Sequence, residues 1–228
     1  MTVDRRILYI FMHIKSVPCI NKYFGHFFKK IDNQVNSYYS THNKKMNPGL
    51  NLIAAACEGM GIGINGNLPW RLKSEMAFFT NMTSNTEDSN KQNVVLMGRR
   101  TWECIPKKFR PLKNRINMVL TSQKLDLGDE AIVCHSLQNA IDEIASSPLK
   151  DKVEKVWVIG GGSVYKEAMS SPNFHKLYLT RVKKQYECDT FFPSLPKNLV
   201  LVDDPNVPQG IQEEGDIQFE YEVYKTEQ

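Results

Sequence analysis

Short, almost uninterrupted apolar runs alternate with amphipathic segments along most of the 228-residue chain. Residues 94–97 (Val-Val-Leu-Met) and 156–159 (Val-Trp-Val-Ile) are two such runs. Strands of this kind are typical of a parallel sheet that helices cover on both faces. Seven strands are predicted, at residues 51–57, 93–97, 116–120, 131–134, 153–159, 176–182 and 219–224.

Helical patterns fall between several of these strands, at residues 71–82, 99–104, 136–146 and 163–169. Ser136 is a suitable N-cap for the third helix, because its hydroxyl can accept a hydrogen bond from a free backbone N–H group. No helix is predicted between the last two strands, so we expect them to form an antiparallel pair. The pattern therefore predicts an α/β fold in which most strands are parallel.

One carboxylate interrupts the apolar stripe of the first predicted helix. Leu72, Met76 and Phe79 recur at helical spacing, and Glu75 lies on the same stripe. A buried carboxylate without a partner is costly and usually has a raised pKa, so a ligand-binding or acid role is one interpretation. The alternative is a Glu75 that reaches the helix edge and pairs with Lys73 or a distant arginine.

Charge is distributed unevenly along a chain whose hydrophobic (41%) and charged (24%) fractions are those of a soluble globular protein. The first 45 residues hold eight Lys/Arg and two Asp/Glu, which leaves 21 basic and 23 acidic groups in the remainder. That slightly acidic remainder excludes a nucleic-acid-binding polycation. The basic start predicts a dispensable tail, which we favour, an organelle-targeting presequence, or a translated leader upstream of Met46.

The cysteines and histidines argue against a metal site. Five widely spaced cysteines form no C-x-x-C pair, which indicates a reducing compartment and no disulfide framework. Only His135 and His175 lie beyond the first 45 residues, so no metal centre is predicted. No apolar run reaches the roughly 18 residues of a membrane span.

Residues 61–66 (Gly-Ile-Gly-Ile-Asn-Gly) match G-x-G-x-x-G, but their surroundings do not fit a dinucleotide fingerprint. That motif opens a helix, whereas here residues 67–70 read Asn-Leu-Pro-Trp. The acid expected about 20 residues later is replaced by the polar stretch 86–90. We therefore interpret residues 61–67, hereafter the glycine loop, as a mobile loop over a ligand.

Two other strand ends are better candidates for phosphate binding. Gly98, Arg99, Arg100 and Thr101 lie where a strand turns into a helix, and cations at a helix start are unfavourable without an anion. Residues 160–162 are three successive glycines, which let a ligand approach the backbone closely. A solvated charge pair and a tight packing turn are the alternatives. Separately, Arg115 lies at a strand entrance, where its guanidinium could bind a carboxylate through two hydrogen bonds.

Taken together, these motifs resemble dihydrofolate reductase of the animal, monofunctional type. The matching segments are residues 60–70, Glu75, and residues 97–102, 110–115, 157–165 and 189–193. The resemblance implies a mostly parallel eight-stranded sheet with helices on both faces and an antiparallel C-terminal edge strand. It also implies that residues 47–228 form the reductase domain and residues 1–46 an extension.

The implied activity is reduction of 7,8-dihydrofolate to 5,6,7,8-tetrahydrofolate by NADPH, which supplies one-carbon metabolism and thymidylate synthesis. The implied partners are folate and antifolate molecules, with no nucleic acid or membrane. A cytoplasmic monomer is expected, or a mitochondrial protein if residues 1–45 act as a presequence.

The resemblance also implies roles for individual residues. Glu75 would bind the pterin and assist its protonation, with an ordered water held by Trp70. The remaining substrate residues would be Ile53, Met76, Phe79, Ile105, Leu112, Arg115 (for the glutamate tail), Ile159 and Thr180 (supporting Glu75). The cofactor residues would be Ala55, Gly61, Ile62, Gly63, Ile64, Asn65, Gly66, Asn67, Arg99, Arg100, Thr101, Thr121, Ser122, Gly160, Gly161, Gly162, Ser163, Val164 and Tyr165.

Some positions depart from the family pattern. Arg71 stands alone where vertebrate members carry Pro-Pro, and Met76 replaces an aromatic residue. Ser122 occupies the place of the arginine that binds the cofactor 2′-phosphate, which leaves Arg99, Arg100, and Lys124 or His135 for that task. The rival interpretations are a pyrimidine reductase of the same fold and a non-catalytic nucleotide- or RNA-binding relative.

Overall fold

The computed structural model describes residues 48–227, and their centre is one twisted sheet. Its strands lie in the order β10–β11–β7–β1–β6–β3–β4–β5, and β9 also pairs with β11. The strands are β1 (Leu50–Ala56), β3 (Gln92–Gly98), β4 (Arg115–Leu120), β5 (Ile132–Cys134), β6 (Val153–Val158), β7 (Phe174–Val182), β9 (Leu199–Leu201), β10 (Ile211–Glu214) and β11 (Ile217–Thr226). A separate two-stranded sheet joins β2 (Gly61–Gly63) to β8 (Thr190–Phe191).

Strand directions confirm the predicted architecture. Every pairing from β7 through β1, β6, β3 and β4 to β5 is parallel. The C-terminal strand β11 is antiparallel to β7, as expected from the missing helix between them. Strands β9 and β10 also run antiparallel to β11; neither was predicted.

Within residues 48–227, five α-helices connect these strands. They are α1 (Lys73–Ser84), α2 (Arg99–Cys104), α3 (Leu137–Ile144), α4 (Leu149–Lys152) and α5 (Gly162–Met169), with 3₁₀ turns at Glu58–Met60 and Lys107–Phe109. Ser136 caps α3 as predicted, since its side chain accepts a hydrogen bond from the Asn139 N–H group. The α1 helix begins two residues later than predicted because Leu72 is extended (φ −119°).

The two faces of the sheet carry separate apolar clusters, because alternate side chains of a strand point to opposite faces. On β1, Leu52 packs in the first cluster with Ile141 of α3 and Ala168 of α5. Ile53, the next residue, packs in the second cluster with Trp102 of α2. Helices therefore cover both faces, as the continuous apolar strands predicted.

The predicted N-terminal extension, residues 1–46, lies outside the described residues. Within residues 48–227, no helix combines the length and the apolar character needed to cross a membrane.

Candidate active site

A large cleft opens at the carboxyl ends of the central parallel strands. Ala55 of β1, Gly98 of β3, Thr121 after β4 and Ile159 after β6 all line it. Ligands of open α/β sheets typically bind at this edge. The cleft has a volume of about 2050 Å³, whereas a site for one small ligand typically occupies about 300–1,000 Å³. It therefore has room for two ligands side by side.

Glu75 lies in the first turn of α1 and lines this cleft. Only 5% of the residue is exposed, and burial raises the pKa of its carboxyl to about 7. The hydroxyl of Thr180 on β7 donates a hydrogen bond to Glu75 Oε1 (3.4 Å), which opposes the effect of burial. A carboxyl with this pKa can hold or release a proton near neutral pH.

The alternative interpretation, in which Glu75 pairs with a cation, is not supported. None of the ion pairs formed among residues 48–227 involves Glu75. Met76 on the same predicted stripe is 46% exposed and lines the cleft with Phe79. Glu75, Met76 and Phe79 of the stripe therefore face the cleft, whereas Leu72 is buried in a cluster with Trp70.

Two buried aromatic residues carry polar groups, and of these Tyr165 lines the cleft whereas Trp70 does not. Tyr165 donates a hydrogen bond from its hydroxyl to the Ile53 carbonyl (2.7 Å), and burial together with the Glu75 charge raises the pKa of Tyr165. Trp70 is 6% exposed and packs against Tyr186. Its indole N–H group is buried without an acceptor among the described residues. A buried, unpaired donor of this kind commonly binds an ordered water.

Arg115 lies at the start of β4 and also lines the cleft. Its Nη1 donates to the Thr83 hydroxyl (2.8 Å) and its Nε donates to the Lys113 carbonyl (2.9 Å). These bonds use two of the five guanidinium donors. Arg115 takes part in none of the ion pairs among residues 48–227, and burial lowers its pKa. A half-buried cation without a carboxylate partner suits an anionic ligand.

The opposite end of the cleft brings the two predicted phosphate segments together. The Gly98 N–H group donates to the Gly160 carbonyl (2.7 Å), and the Gly160–Gly161 peptide bond is cis. A Cβ at Gly161 would lie 3.4 Å from Thr101 Oγ1, and one at Gly162 would lie 2.7 Å from the Phe191 carbonyl oxygen. The successive glycines thus permit a close backbone contact that larger residues would disturb.

The two arginines of α2 differ in their surroundings. Arg99 forms an ion pair with Glu103 at 2.6 Å, one helical turn away. Arg100 is exposed, lines the cleft and forms none of the ion pairs within residues 48–227. Arg100 is therefore the freer cation for a phosphate.

Near the Arg100 end, the loop after β4 lines the cleft. Thr121 Oγ1 accepts a hydrogen bond from the Gln123 N–H group (3.1 Å), and His135 Nδ1 lies 3.1 Å from the Thr121 carbonyl oxygen. Ser122, Gln123 and His135 also line the cleft. Lys124, the alternative cation named from the sequence, is not among the lining residues.

The glycine loop lies over the cleft and is held by the segment before β8. The Asn65 N–H group donates to Asp189 Oδ2 (2.7 Å), and the Asp189 N–H group donates to the Gly63 carbonyl (3.0 Å). Ile64 and Asn67 close the tip through two backbone hydrogen bonds of 2.9 Å. Sequence reasoning did not assign a role to Asp189, because this contact spans 124 residues.

Comparison with known proteins identifies the family. The family model described as "Dihydrofolate reductase" matches residues 49–225. The chain belongs to the dihydrofolate reductase family. It is 50% identical over 181 residues to the "Dihydrofolate reductase" of Heliothis virescens, covering 77% of this chain and 96% of that protein. It is 46% identical over 180 residues to that of Gallus gallus, covering 77% and 95%.

A solved structure agrees with this assignment. The "Schistosoma mansoni Dihydrofolate reductase" is 36% identical, with a TM-score of 0.71, and covers 79% of this chain and 100% of that chain. Membership of the dihydrofolate reductase family confirms the resemblance found in the motifs and makes the chain an oxidoreductase. The interpretation as a non-catalytic binding protein is not supported.

Most of the residues that the dihydrofolate reductase resemblance implicated line this large cleft. Four do not line it: Gly61, Ile64, Trp70 and Thr180. Thr180 instead donates a hydrogen bond to Glu75, and Gly61 begins β2, the first part of the glycine loop. Lining residues to which the sequence analysis assigned no role include Leu68, Cys104, Phe109, Lys113, Asp189 and Phe191.

Proposed function

We propose that the chain reduces 7,8-dihydrofolate to 5,6,7,8-tetrahydrofolate with NADPH, and that Glu75 anchors the pterin and assists its protonation. The observation that carries this proposal is a buried carboxyl, with a pKa raised to about 7, in a cleft large enough for two ligands. Family membership supports the same activity.

NADPH would supply the hydride, and the glycine-rich end of the cleft fits its phosphates. The close approach of Gly98 to Gly160 supports this placement, since it brings the glycine turn beside Thr101 in the first turn of α2. Helix starts and glycine turns bind phosphate through free N–H groups. Arg100 would provide the charge, with Arg99 held by Glu103 as a secondary contributor.

The substrate would occupy the Glu75 end of the cleft. Phe79, Ile105 and Leu112 provide partly buried apolar walls, and Met76 covers the rim. Arg115, with three donors left over from its internal contacts, would bind the α-carboxylate of the glutamate tail. In this arrangement Glu75 would bind the polar edge of the pterin, Arg115 would bind the glutamate tail, and the apolar walls would pack on the rings between them.

Hydride transfer to the pterin requires a proton at the adjacent nitrogen. Glu75 binds the polar edge of the ring, and its raised pKa keeps a proton available near neutral pH. The Trp70 N–H group would hold a water beside this edge. The glycine loop would exclude bulk water from the site. The protein thus aligns the reactants and keeps water out, while the cofactor supplies the hydride.

The direct test is to mix the purified full chain with NADPH and 7,8-dihydrofolate and follow the near-ultraviolet absorbance of NADPH. We expect oxidation that depends on both compounds and yields tetrahydrofolate. NADPH consumption that ignores dihydrofolate, or that proceeds only with a pyrimidine intermediate, would contradict the proposal.

Two further expectations concern the setting of this activity. We propose that the chain works as a monomer in the cytoplasm on free folates, with no nucleic acid or membrane required. If the activity is instead found in a mitochondrial fraction, and only when residues 1–45 are present, the presequence alternative is supported.

A further inference from the structure

Two thiols meet beneath the base of the glycine loop. Cys57 follows β1 and is 2% exposed, whereas Cys188 precedes β8 and is half-buried. Their Sγ atoms lie 3.8 Å apart although the residues are 131 positions apart in the sequence. Cys104 and Cys134, the other free cysteines among residues 48–227, have no such thiol contact.

The first residue of the glycine loop packs directly on this pair. A Cβ at Gly61 would clash with Cys188 Sγ and would come within 3.0 Å of Cys57 Sγ. The residues after Cys188 also bind the loop, since Asp189 bonds to Gly63 and the Phe192 N–H group donates to the Met60 carbonyl (2.8 Å). A movement of the glycine loop that keeps these contacts therefore carries the Cys188 segment with it, relative to Cys57 at the end of β1.

We propose that Cys57 and Cys188 are a modification site that forms a reversible disulfide, which ties the Cys188 segment to the end of β1 and slows opening of the glycine loop. A disulfide S–S bond is about 2.05 Å long, so the two sulfurs need to approach by less than 2 Å from their present separation. The rare disulfides of reducing compartments are mostly transient and redox-sensing.

The oxidant is a peroxide or a small-molecule disulfide. With hydrogen peroxide, the more accessible Cys188 thiolate attacks one oxygen, the O–O bond breaks and hydroxide leaves, which gives a sulfenic acid. The Cys57 thiolate then attacks that sulfur, the S–O bond breaks and hydroxide leaves, and the two hydroxides take up the protons that the two thiols lost. Two thiols and one peroxide thus give one disulfide and two waters.

The same contact sets the conditions for oxidation. Burial and the neighbouring Cys57 raise the pKa of Cys188. Because the thiolate is the reactive form, we expect oxidation to be slow near neutral pH and faster in alkaline solution. Cys188 then reacts as a slow sensor of sustained oxidation.

The test uses the reduced full chain treated with hydrogen peroxide or oxidised glutathione at alkaline pH, followed by alkylation of remaining thiols and peptide mass mapping. We expect a Cys57–Cys188 disulfide as the main product, a several-fold fall in dihydrofolate turnover, and recovery with dithiothreitol. Cys57→Ser and Cys188→Ser should keep their turnover after the same treatment. Cys104→Ser should still lose it.

Two results would overturn the proposal. One is a map in which Cys188 is oxidised or joined to glutathione while Cys57 stays alkylated. The other is a complete Cys57–Cys188 disulfide with unchanged turnover, since the bond would then not restrain the loop. The readout of disulfide formation does not depend on the substrate, so it separates this site from the proposed reaction.

Discussion

Individual side chains in the cleft differ in how far the sequence could assign them. The burial of Glu75 was predictable from local spacing, because its position on the stripe depends only on neighbours within one helical turn of α1. Met76 on the same stripe is exposed to the cleft, which spacing alone could not distinguish from core. The contact of Asp189 with Asn65 was not predictable, since it needs two distant segments to meet.

Arg115→Leu tests the anion site at the substrate end. Removing one partner of a desolvated, hydrogen-bonded charge pair costs about 2–5 kcal/mol, or roughly 30- to several-thousand-fold in affinity. We expect the KM for dihydrofolate to rise and methotrexate, which carries the same glutamate, to bind more weakly. Trimethoprim lacks that tail and should be nearly unaffected.

The neighbouring cation provides the control for this prediction. Lys113 is exposed and also lines the cleft, so Lys113→Leu should change the inhibition constants of methotrexate and trimethoprim little. Equal losses of methotrexate and trimethoprim in Arg115→Leu, measured by inhibition constants, would show that Arg115 supports the fold through Thr83 instead.

Arg100→Gln tests the choice of NADPH over NADH. The affinity for NADPH should fall roughly tenfold, which corresponds to one charge-assisted hydrogen bond of about 1.5 kcal/mol. The affinity for NADH should fall less. Arg99→Gln should act in the same direction but more weakly, because Glu103 already pairs with Arg99. Lys107→Gln, on a residue outside the cleft lining, is the control. If the ratio of the dissociation constants of NADPH and NADH does not change in either arginine variant, His135 becomes the candidate for binding the 2′-phosphate.

At the scale of elements, strongly apolar strands and helices with clear patterns were predicted well. The α2 range coincides with its prediction, and all seven predicted strands exist. Strands β9 and β10 were missed because they are short and none of their residues is fully buried. Strand β2 was missed because its three residues, Gly-Ile-Gly, have low strand propensity and pair only with distant β8.

The helix that carries Glu75 depends on a distant strand for its start. Leu72 provides no side-chain cap, and instead Glu214 of β10 accepts hydrogen bonds from the Lys73 and Ser74 N–H groups, each at 2.8 Å. A hydrogen bond from the Ser74 hydroxyl, together with these two backbone bonds, lowers the pKa of Glu214 to about 2. The β10–β11 hairpin therefore helps to fix the first turn of α1, where Glu75 lies.

Glu214→Gln should lower the melting temperature at neutral pH. Since the folded-state pKa is below the ordinary value of 4.5, the stabilisation is complete above that value and is lost as the pH falls toward about 2. The difference in melting temperature between parent and variant should shrink over that range. Glu213→Gln, at the exposed neighbouring position, should show no such dependence. A pH-independent difference for Glu214→Gln would contradict the capping role.

At the scale of the whole molecule, composition separated the basic start of the chain from the remainder, and the family match at residues 49–225 covers the latter. The parallel order of the central strands followed from their continuous apolar character. The full strand order did not, because pairings such as β1 with β6 join segments about a hundred residues apart.

A chain that starts at Met46 should keep full turnover and an unchanged melting temperature, because no motif assigned to the site precedes Ile53. A chain that starts at Ile53 is the control, since it loses Leu50 and Leu52, which are buried and pair with β6 and β7. It should fail to fold. If thermal unfolding instead gives the chain that starts at Met46 a melting temperature several degrees lower, the tail stabilises the domain.

The central claim is that one buried carboxyl directs the reaction, and Glu75→Gln tests it most directly. Positioned acid–base assistance contributes about 10²–10⁴-fold, so the variant should lose at least that much turnover at neutral pH while binding NADPH normally. Activity should partly recover in acid, where solvent can deliver the proton. Glu87→Gln, on an exposed residue outside the cleft lining, should match the parent. Turnover of Glu75→Gln within a few-fold of the parent at neutral pH, with normal NADPH binding, would contradict the account.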